Sequence, residues 1–314
     1  MSLSAIGTVK QYRGILIGLL VLIALFWRLS PNFMVVENLL NIVLQVSITA
    51  ILAFGMTYVL LLGEIDLSVG SAVALVGVVV ALGLQHGLIA GLAILLALLV
   101  GLALGAVNGM LSALLGIPSF IVTLATMGIF RGLAYIVSDG IPITADNERF
   151  AALANGSFFS VPTPVWVLLA LLCGHQFILS KTVFGRKVYL AGGNREAARY
   201  SGVNVPVLKI SVFAISGLMA GVSGVLMTAR LYSAQPNAGI GSELDAIAAA
   251  ALGGTSLSGG YGTVTGTIIG ALIIGVINNG MNLLSVPYFY QLIVKGIVIL
   301  VAVCIDVQSK RSRS

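Results

Sequence analysis

The sequence predicts an all-α, polytopic membrane protein of about ten transmembrane helices, with two inverted repeats and one small helix outside the bilayer. Three observations predict it. Hydrophobic residues make up 59% of the 314-residue chain and charged residues only 8%, whereas a soluble domain carries roughly 25% charge, and the mean hydropathy is +1.10. Eleven of the sixteen Lys and Arg lie in three places: Lys10 and Arg13, six from Lys181 to Lys209, and Lys310, Arg311 and Arg313. Two carboxylate pairs, Glu64/Asp66 and Glu243/Asp245, sit in similar surroundings.

Apolar windows of about 20 residues, the length that crosses a bilayer, fall at 14–30, 39–62, 67–84, 88–107, 117–137, 161–180, 208–229, 244–261, 263–284 and 287–306. The charges favour ten windows over nine. If the three basic clusters all face the cytoplasm, an even number of spans must separate each from the next, and six and four satisfy this. Both termini are then cytoplasmic. The loop 138–160, with Asp139, Asp146, Glu148 and Arg149, lies outside. Lys10 and Arg13 precede an apolar core, but Phe26-Trp27-Arg28-Leu29-Ser30 has no small-residue cleavage site, so the first span reads as an uncleaved anchor. Cys173 and Cys304 fall within spans and imply no disulfide framework; His86 and His175 are far apart and imply no metal site. No cofactor is expected. The net charge of +6 fits cytoplasmic loops beside anionic membrane lipid rather than nucleic acid.

The first repeat runs Gly63-Glu64-Ile65-Asp66-Leu67-Ser68-Val69-Gly70-Ser71, an apolar stretch, Asn108-Gly109, then Ile117-Pro118-Ser119-Phe120. The second runs Gly241-Ser242-Glu243-Leu244-Asp245-Ala246-Ile247, an apolar stretch, Asn279-Gly280, then Val286-Pro287-Tyr288-Phe289. Asp66 to Asn108 is 42 residues against 34 from Asp245 to Asn279. With ten spans, Asp66 precedes an outward-running span and Asp245 an inward-running one. The repeats, about 39–137 and 208–306, are therefore inverted within a single transmembrane domain covering 1–314. Transporters use such symmetry to open a central path to either side.

Glycine accounts for 38 residues and permits close packing and broken helices. The stretch Gly253 to Gly262 reads either as a break or re-entrant segment shielded by protein, or as a tight turn between spans. Within it Leu257-Ser258-Gly259-Gly260 matches the start of an ABC ATPase signature. No G-x-x-x-x-G-K-[ST] loop occurs anywhere in the chain, so nucleotide binding is not expected.

In the basic loop 181–207, Asn194 is suited to cap a helix, Glu196 to its first turn, Ala197 and Ala198 to its body and Gly202 to its end. A two-turn helix outside the bilayer results. Its small-residue face suits docking into a partner's groove, or the loop only orients the protein.

These segments resemble the binding-protein-dependent monosaccharide ABC importer permeases, most closely the ribose-carrying members. The resemblance lies in Gly63 to Ser71 (the family usually reads GGIDLSVGS or SGIDLSVGS), in Ile117 to Leu124, in Gly185 to Val203 and in the long run Ser233 to Leu257. It covers roughly residues 30–306. The resemblance implies a permease in the bacterial inner membrane that forms a dimer, homodimeric by expectation. It implies that sugar arrives from a periplasmic binding protein and that a separate cytoplasmic ABC ATPase drives transport. Residues Gly193, Asn194, Glu196, Ala197, Ala198, Ser201 and Gly202 then correspond to the coupling helix. Ribose leads among the sugars; allose, other pentoses and furanosides would use the same scaffold. Glu64 departs from the pattern, which has a small residue there.

Asp66 with Ser68 is expected at the cytoplasmic end of the third span, either capping the helix or contacting the ATPase. Glu243 and Asp245, expected at the outer end of the eighth, either cap it or meet the binding protein. Asn108, Thr123, Thr126, Ser233, Gln235, Asn278, Asn279 and Asn282 are candidates for a path that must hydrogen-bond a neutral sugar, though such residues also join helices. Arg131 and Lys295 read as snorkelling cations. An ion-coupled secondary sugar transporter is the alternative, and would need carboxylates at mid-membrane. An integral membrane enzyme finds no catalytic arrangement in the sequence.

Overall fold

The computed structural model describes residues 3–311, with side chains described over 13–301 and at Cys304. Arg313 lies outside the described residues, as do the side chains of Lys10, Lys310 and Arg311. The chain is helical from end to end: α1 Leu3–Leu29, α2 Val36–Leu61, α3 Val69–Gln85, α4 Ala90–Leu114, α5 Ser119–Val137, α6 Glu148–Asn155, α7 Thr163–Lys181, α8 Val183–Gly193, α9 Arg195–Tyr200, α10 Val205–Leu231, α11 Ser242–Leu252, α12 Val264–Leu283 and α13 Tyr288–Arg311. Four two-residue strands complete it: β1 Ile143–Thr144, β2 Ser157–Phe158, β3 Val161–Pro162 and β4 Ser233–Ala234. β1 pairs antiparallel with β4, and β2 with β3. Among the described residues, α2, α4, α5, α7, α10 and α12 are long and apolar enough to cross a membrane, and α3 and Tyr288–Val301 are shorter apolar helices.

Local chemistry sets the helix ends. Asn204 accepts from Val207 N at 3.1 Å and Pro206 stands in the first turn of α10, where its missing N–H costs nothing. Thr263 accepts from Gly266 N at 3.1 Å to start α12. Proline precedes α5 and α13 at Pro118 and Pro287.

α2 and α10 form the core and pack against each other; α3 packs on α4, α5 and α10, and α11 on α12, α13 and α2. Small residues bring the centre together. Gly101, Gly105 and Gly109 of α4 face Gly217, Phe213 and Ile210 of α10, and a Cβ at Gly105 would run into the Phe213 carbonyl. Such small-xxx-small stripes let helix backbones touch where lipid supplies no hydrophobic drive. Outward faces are apolar instead: Leu95, Leu99, Ile121, Leu124, Leu133 and Ile136 are exposed.

The eighth predicted span, 244–261, is corrected. α11 holds only 11 residues, about 16 Å at 1.5 Å per residue, or half of a roughly 30 Å hydrocarbon core. Glycine ends it: Gly253 is its C-cap, and Gly254, Gly259, Gly260 and Gly262 have positive φ. The stretch 253–262 is the turn between α11 and α12, tied to the end of α2 by Gly260 N donating to Leu61 O at 2.9 Å. The helix break lies earlier, in the non-helical segment 235–241.

Candidate functional site

Two non-helical connectors, 62–68 before α3 and 235–241 before α11, enter the bundle from opposite ends. The first leaves α2 beside α8 and α9; the second leaves β4 at the strand-bearing end. The helix that follows the first connector meets the second inside: Glu243 Oε2 and the Gly239 carbonyl occupy the space a Cβ on Gly70, in the first turn of α3, would need. Glycine is required at both contact points, because a Cβ at Gly239 would in turn strike the Gly70 carbonyl. Irregular backbone inside a membrane needs its polar groups satisfied by protein, and α5 serves both connectors. Ser119 Oγ accepts from Ile65 N at 3.4 Å and Thr123 Oγ1 donates to Ile65 O at 3.3 Å. Further along α5, Arg131 donates to Pro236 O at 2.7 Å and Ala238 O at 2.6 Å.

Asp66 is only 1% exposed. It accepts from Ser68 N at 3.0 Å, Ser68 Oγ at 2.7 Å and Ser216 Oγ at 2.9 Å. Ser216 is the twelfth residue of α10, about 16 Å along its axis, so Asp66 lies inside the bundle and not at an exposed helix end. Asn108 donates to Ser68 Oγ at 2.7 Å, extending the network to α4. Asp66 bonds to Ser68 itself, and α3 starts from Ser68 with no side-chain cap hydrogen bond; Ser216, which no sequence signal singled out, joins it from 150 residues away.

Glu243 and Asp245 are likewise displaced from the expected span end. They occupy the first turn of α11, beside the first turn of α3. Glu243 Oε1 accepts from Gly241 N at 3.2 Å. Asp245 Oδ2 pairs with Lys295 Nζ at 2.9 Å and accepts from Asn278 at 3.2 Å. Arg131 and Lys295, expected to snorkel, are thus turned inward onto the second connector and α11.

Around Glu64 the arrangement is ionic. Arg195 of α9 forms an ion pair with Glu64 Oε1, Lys209 of α10 pairs with the same oxygen at 2.8 Å, and Ser119 donates to Oε2. Beside Glu64 opens a cavity of about 500 Å³ whose lining includes Ser112, Ile117, Pro118, Phe120, Arg199 and Pro206.

In the small helix α9, Asn194 Oδ1 accepts from Ala197 N at 2.9 Å, Ser201 Oγ donates to Ala197 O at 2.8 Å, and Gly202 has φ +77°. Of the residues expected on the docking face, Ala198 is turned inward, while Ser201 and Gly202 are exposed and Ala197 is half-buried. Ala198 is fully buried against the bundle, while Gly193, Asn194, Glu196 and Arg199 are exposed and Tyr200 is 91% exposed.

The eight path candidates do not share one cavity. Thr123 donates to Ser119 O at 2.9 Å, and Thr126 to Thr123 O at 3.3 Å. Ser233 lies in β4 and donates to Leu231 O at 3.2 Å, and the Gln235 carbonyl accepts from Ala238 N at 2.9 Å. Asn279 exchanges two bonds with Asn38, at 3.0 and 2.8 Å. Asn282 is exposed and accepts from Gln291 at 2.9 Å. Asn278 lines a cavity of about 180 Å³ with Gln45, Thr49, Arg230 and Ser242; of these four only Ser242 falls within a motif of the sequence. Among the described residues no group of His, Cys, Asp and Glu could hold a metal ion.

A helical bundle with apolar outer faces, six of whose described helices are long and apolar enough to cross a membrane, defines an integral membrane protein. The family model described as "Branched-chain amino acid transport system / permease component" matches residues 38–303, and the chain belongs to this family of permease components. It is 46% identical to the ribose import permease protein RbsC of Haemophilus influenzae over 92% of this chain and 91% of that protein. It is 47% identical to RbsC of Bacillus subtilis over 95% and 93% respectively. The L-arabinose transport system permease protein AraH of Escherichia coli is 39% identical, over 98% and 94%. No solved structure matches.

Proposed function

We propose that this chain is the membrane-spanning subunit of an ABC importer that carries ribose inward by alternating access. The observation that carries the reading is its 46–48% identity, over more than nine-tenths of its length, to permeases named for ribose import. The relatives named for L-arabinose are less similar, at 39–41% identity. In this reading a periplasmic binding protein delivers the sugar, an ABC ATPase drives the cycle from the cytoplasmic side, and a second copy completes the path.

The same reading takes the chain across the inner membrane ten times as a single domain, with both termini cytoplasmic. Connector 62–68 with α3 makes one crossing and connector 235–241 with α11 another. The packing supports an inverted repeat: α2 and α10 exchange places, as do α3 and α11, α4 and α12, and α5 and α13. Each connector then reaches the interior from one side of the membrane, as alternating access needs. The exposed residues of α9 face the ATPase, with Tyr200 and Glu196 at the contact. Of the eight polar path candidates, Asn278 has the strongest support, because it lines a cavity together with Gln45, Thr49, Arg230 and Ser242.

The test is transport by proteoliposomes holding this chain, the ATPase and the binding protein. ATP-dependent uptake of ribose, competed weakly by L-arabinose, is expected. Uptake of leucine in place of ribose would overturn the substrate, and ion-driven uptake by this chain alone would overturn the class.

A further inference from the structure

Glu64 is the position at which the sequence departs from the pattern it otherwise resembles, and it is the residue on which four separate elements converge. Its carboxylate, with 8% of the side chain exposed, is held by Arg195 of α9, Lys209 of α10 and Ser119 of α5, while its own backbone belongs to connector 62–68. Arg195 also donates to Leu62 O at 3.2 Å. α9 is therefore fastened to the connector by side chain and backbone together.

The surrounding charges explain why an acid is needed. Among the residues lining the adjoining cavity, Arg195, Arg199 and Lys209 are basic and Glu64 is the one acid. The Lys209 side chain is only 12% exposed, and a buried ammonium requires a counter-charge. Arg195 differs, being half exposed, so its half of the cluster can open without burying a lone charge.

Distance along the chain supplies the link inward. Glu64 and Asp66 are two residues apart in non-helical backbone, about 7 Å at the rise of an extended strand. Asp66 holds α10 through Ser216 and the start of α3 through Ser68. A displacement of α9 that carries Arg195 with it must pull on a segment whose other end is clamped at the centre of the bundle.

We propose that Glu64 is a positioning residue, a charge latch through which movement of α9 is passed to connector 62–68 and so to the interior clamp at Asp66. This rests on the reading of the chain as an ATP-driven importer, in which α9 meets the ATPase. Opening the latch on the Arg195 side frees α9 from the connector, so that ATP is hydrolysed without sugar being moved.

The experiment measures sugar transported per ATP hydrolysed in the reconstituted complex of this chain, its ATPase and its binding protein. Glu64→Gln keeps the shape and removes the charge. It is expected to lower that ratio at least fivefold, with hydrolysis in the absence of binding protein retained or raised. Should Glu64→Gln leave Lys209 uncompensated and fail to assemble, Arg195→Gln opens the latch from its exposed side and is expected to give the same fall. A ratio unchanged from wild type, or uptake and hydrolysis falling in equal proportion, overturns the latch, because a purely structural carboxylate lowers both together. A wild-type complex with no ATP-dependent uptake overturns the importer reading itself, before any variant is compared.

Discussion

Connector 62–68 and the first turn of α11, which follows the second connector, carry similar acids and hold them by different physics. Connector 62–68 places Asp66 among hydroxyls, a backbone N–H and no cation, and gives its second acid, Glu64, two cations at the edge of the bundle. The second connector reverses this. Asp245, on the helix that follows, has a cation in Lys295, Glu243 turns back onto the backbone at Gly241, and Arg131 holds connector carbonyls. The carboxylates are thus not equivalent sites despite the similar sequence around them. The first connector is tied to the α8–α9 end by charge and clamped within by hydrogen bonds; the second is gripped by cations from α5 and α13.

The comparison is broken most strongly at Asp66. Replacing it by Ala strands the Ser68 N–H and the Ser68 and Ser216 hydroxyls in a dehydrated site, and each buried unsatisfied group costs about 1–3 kcal/mol. A loss of about 3 kcal/mol or more is expected, read as a fall in the thermal midpoint of the purified protein. At Asp245 the remedy differs, because the cost comes from an abandoned cation. Asp245→Ala should destabilise by about 3 kcal/mol, and adding Lys295→Met should recover most of it, whereas Ser216→Ala should not rescue Asp66→Ala. Failure of the Lys295 rescue would show that Asp245 acts through Asn278 instead.

Much of this was legible in the sequence where the signal is local. The cap of α9 at Asn194, its end at Gly202 and the bond from Ser68 to Asp66 depend on residues two to four apart, and propensity and spacing found them. Nine of the ten apolar windows also fall on helices, of which six among the described residues are long and apolar enough to cross a membrane. α11 falls short of its window, because hydropathy reports whether a segment is apolar and not whether it crosses: 244–252 is apolar enough, yet its helix starts inside the bundle. Ala198 was misread for a related reason. A small residue suits a partner's groove and its own protein's core equally, and only the packing of α9 chose the core.

The sequence by itself determined the solvent, the helical class, the two matched carboxylate pairs and the permease family, since composition, periodicity and motif order are properties of the chain alone. Tertiary structure alone decided which cation each acid meets: Glu64 with Arg195 and Lys209, Asp245 with Lys295, and Asp66 with none. Those partners lie 50 to 145 residues away in the chain, and they are chosen by how connector 62–68 and α11 are packed between α5, α10 and α13. No local preference encodes that packing, because it follows from the need to satisfy irregular backbone and buried charge within a bundle whose outer surface offers neither water nor counter-ion.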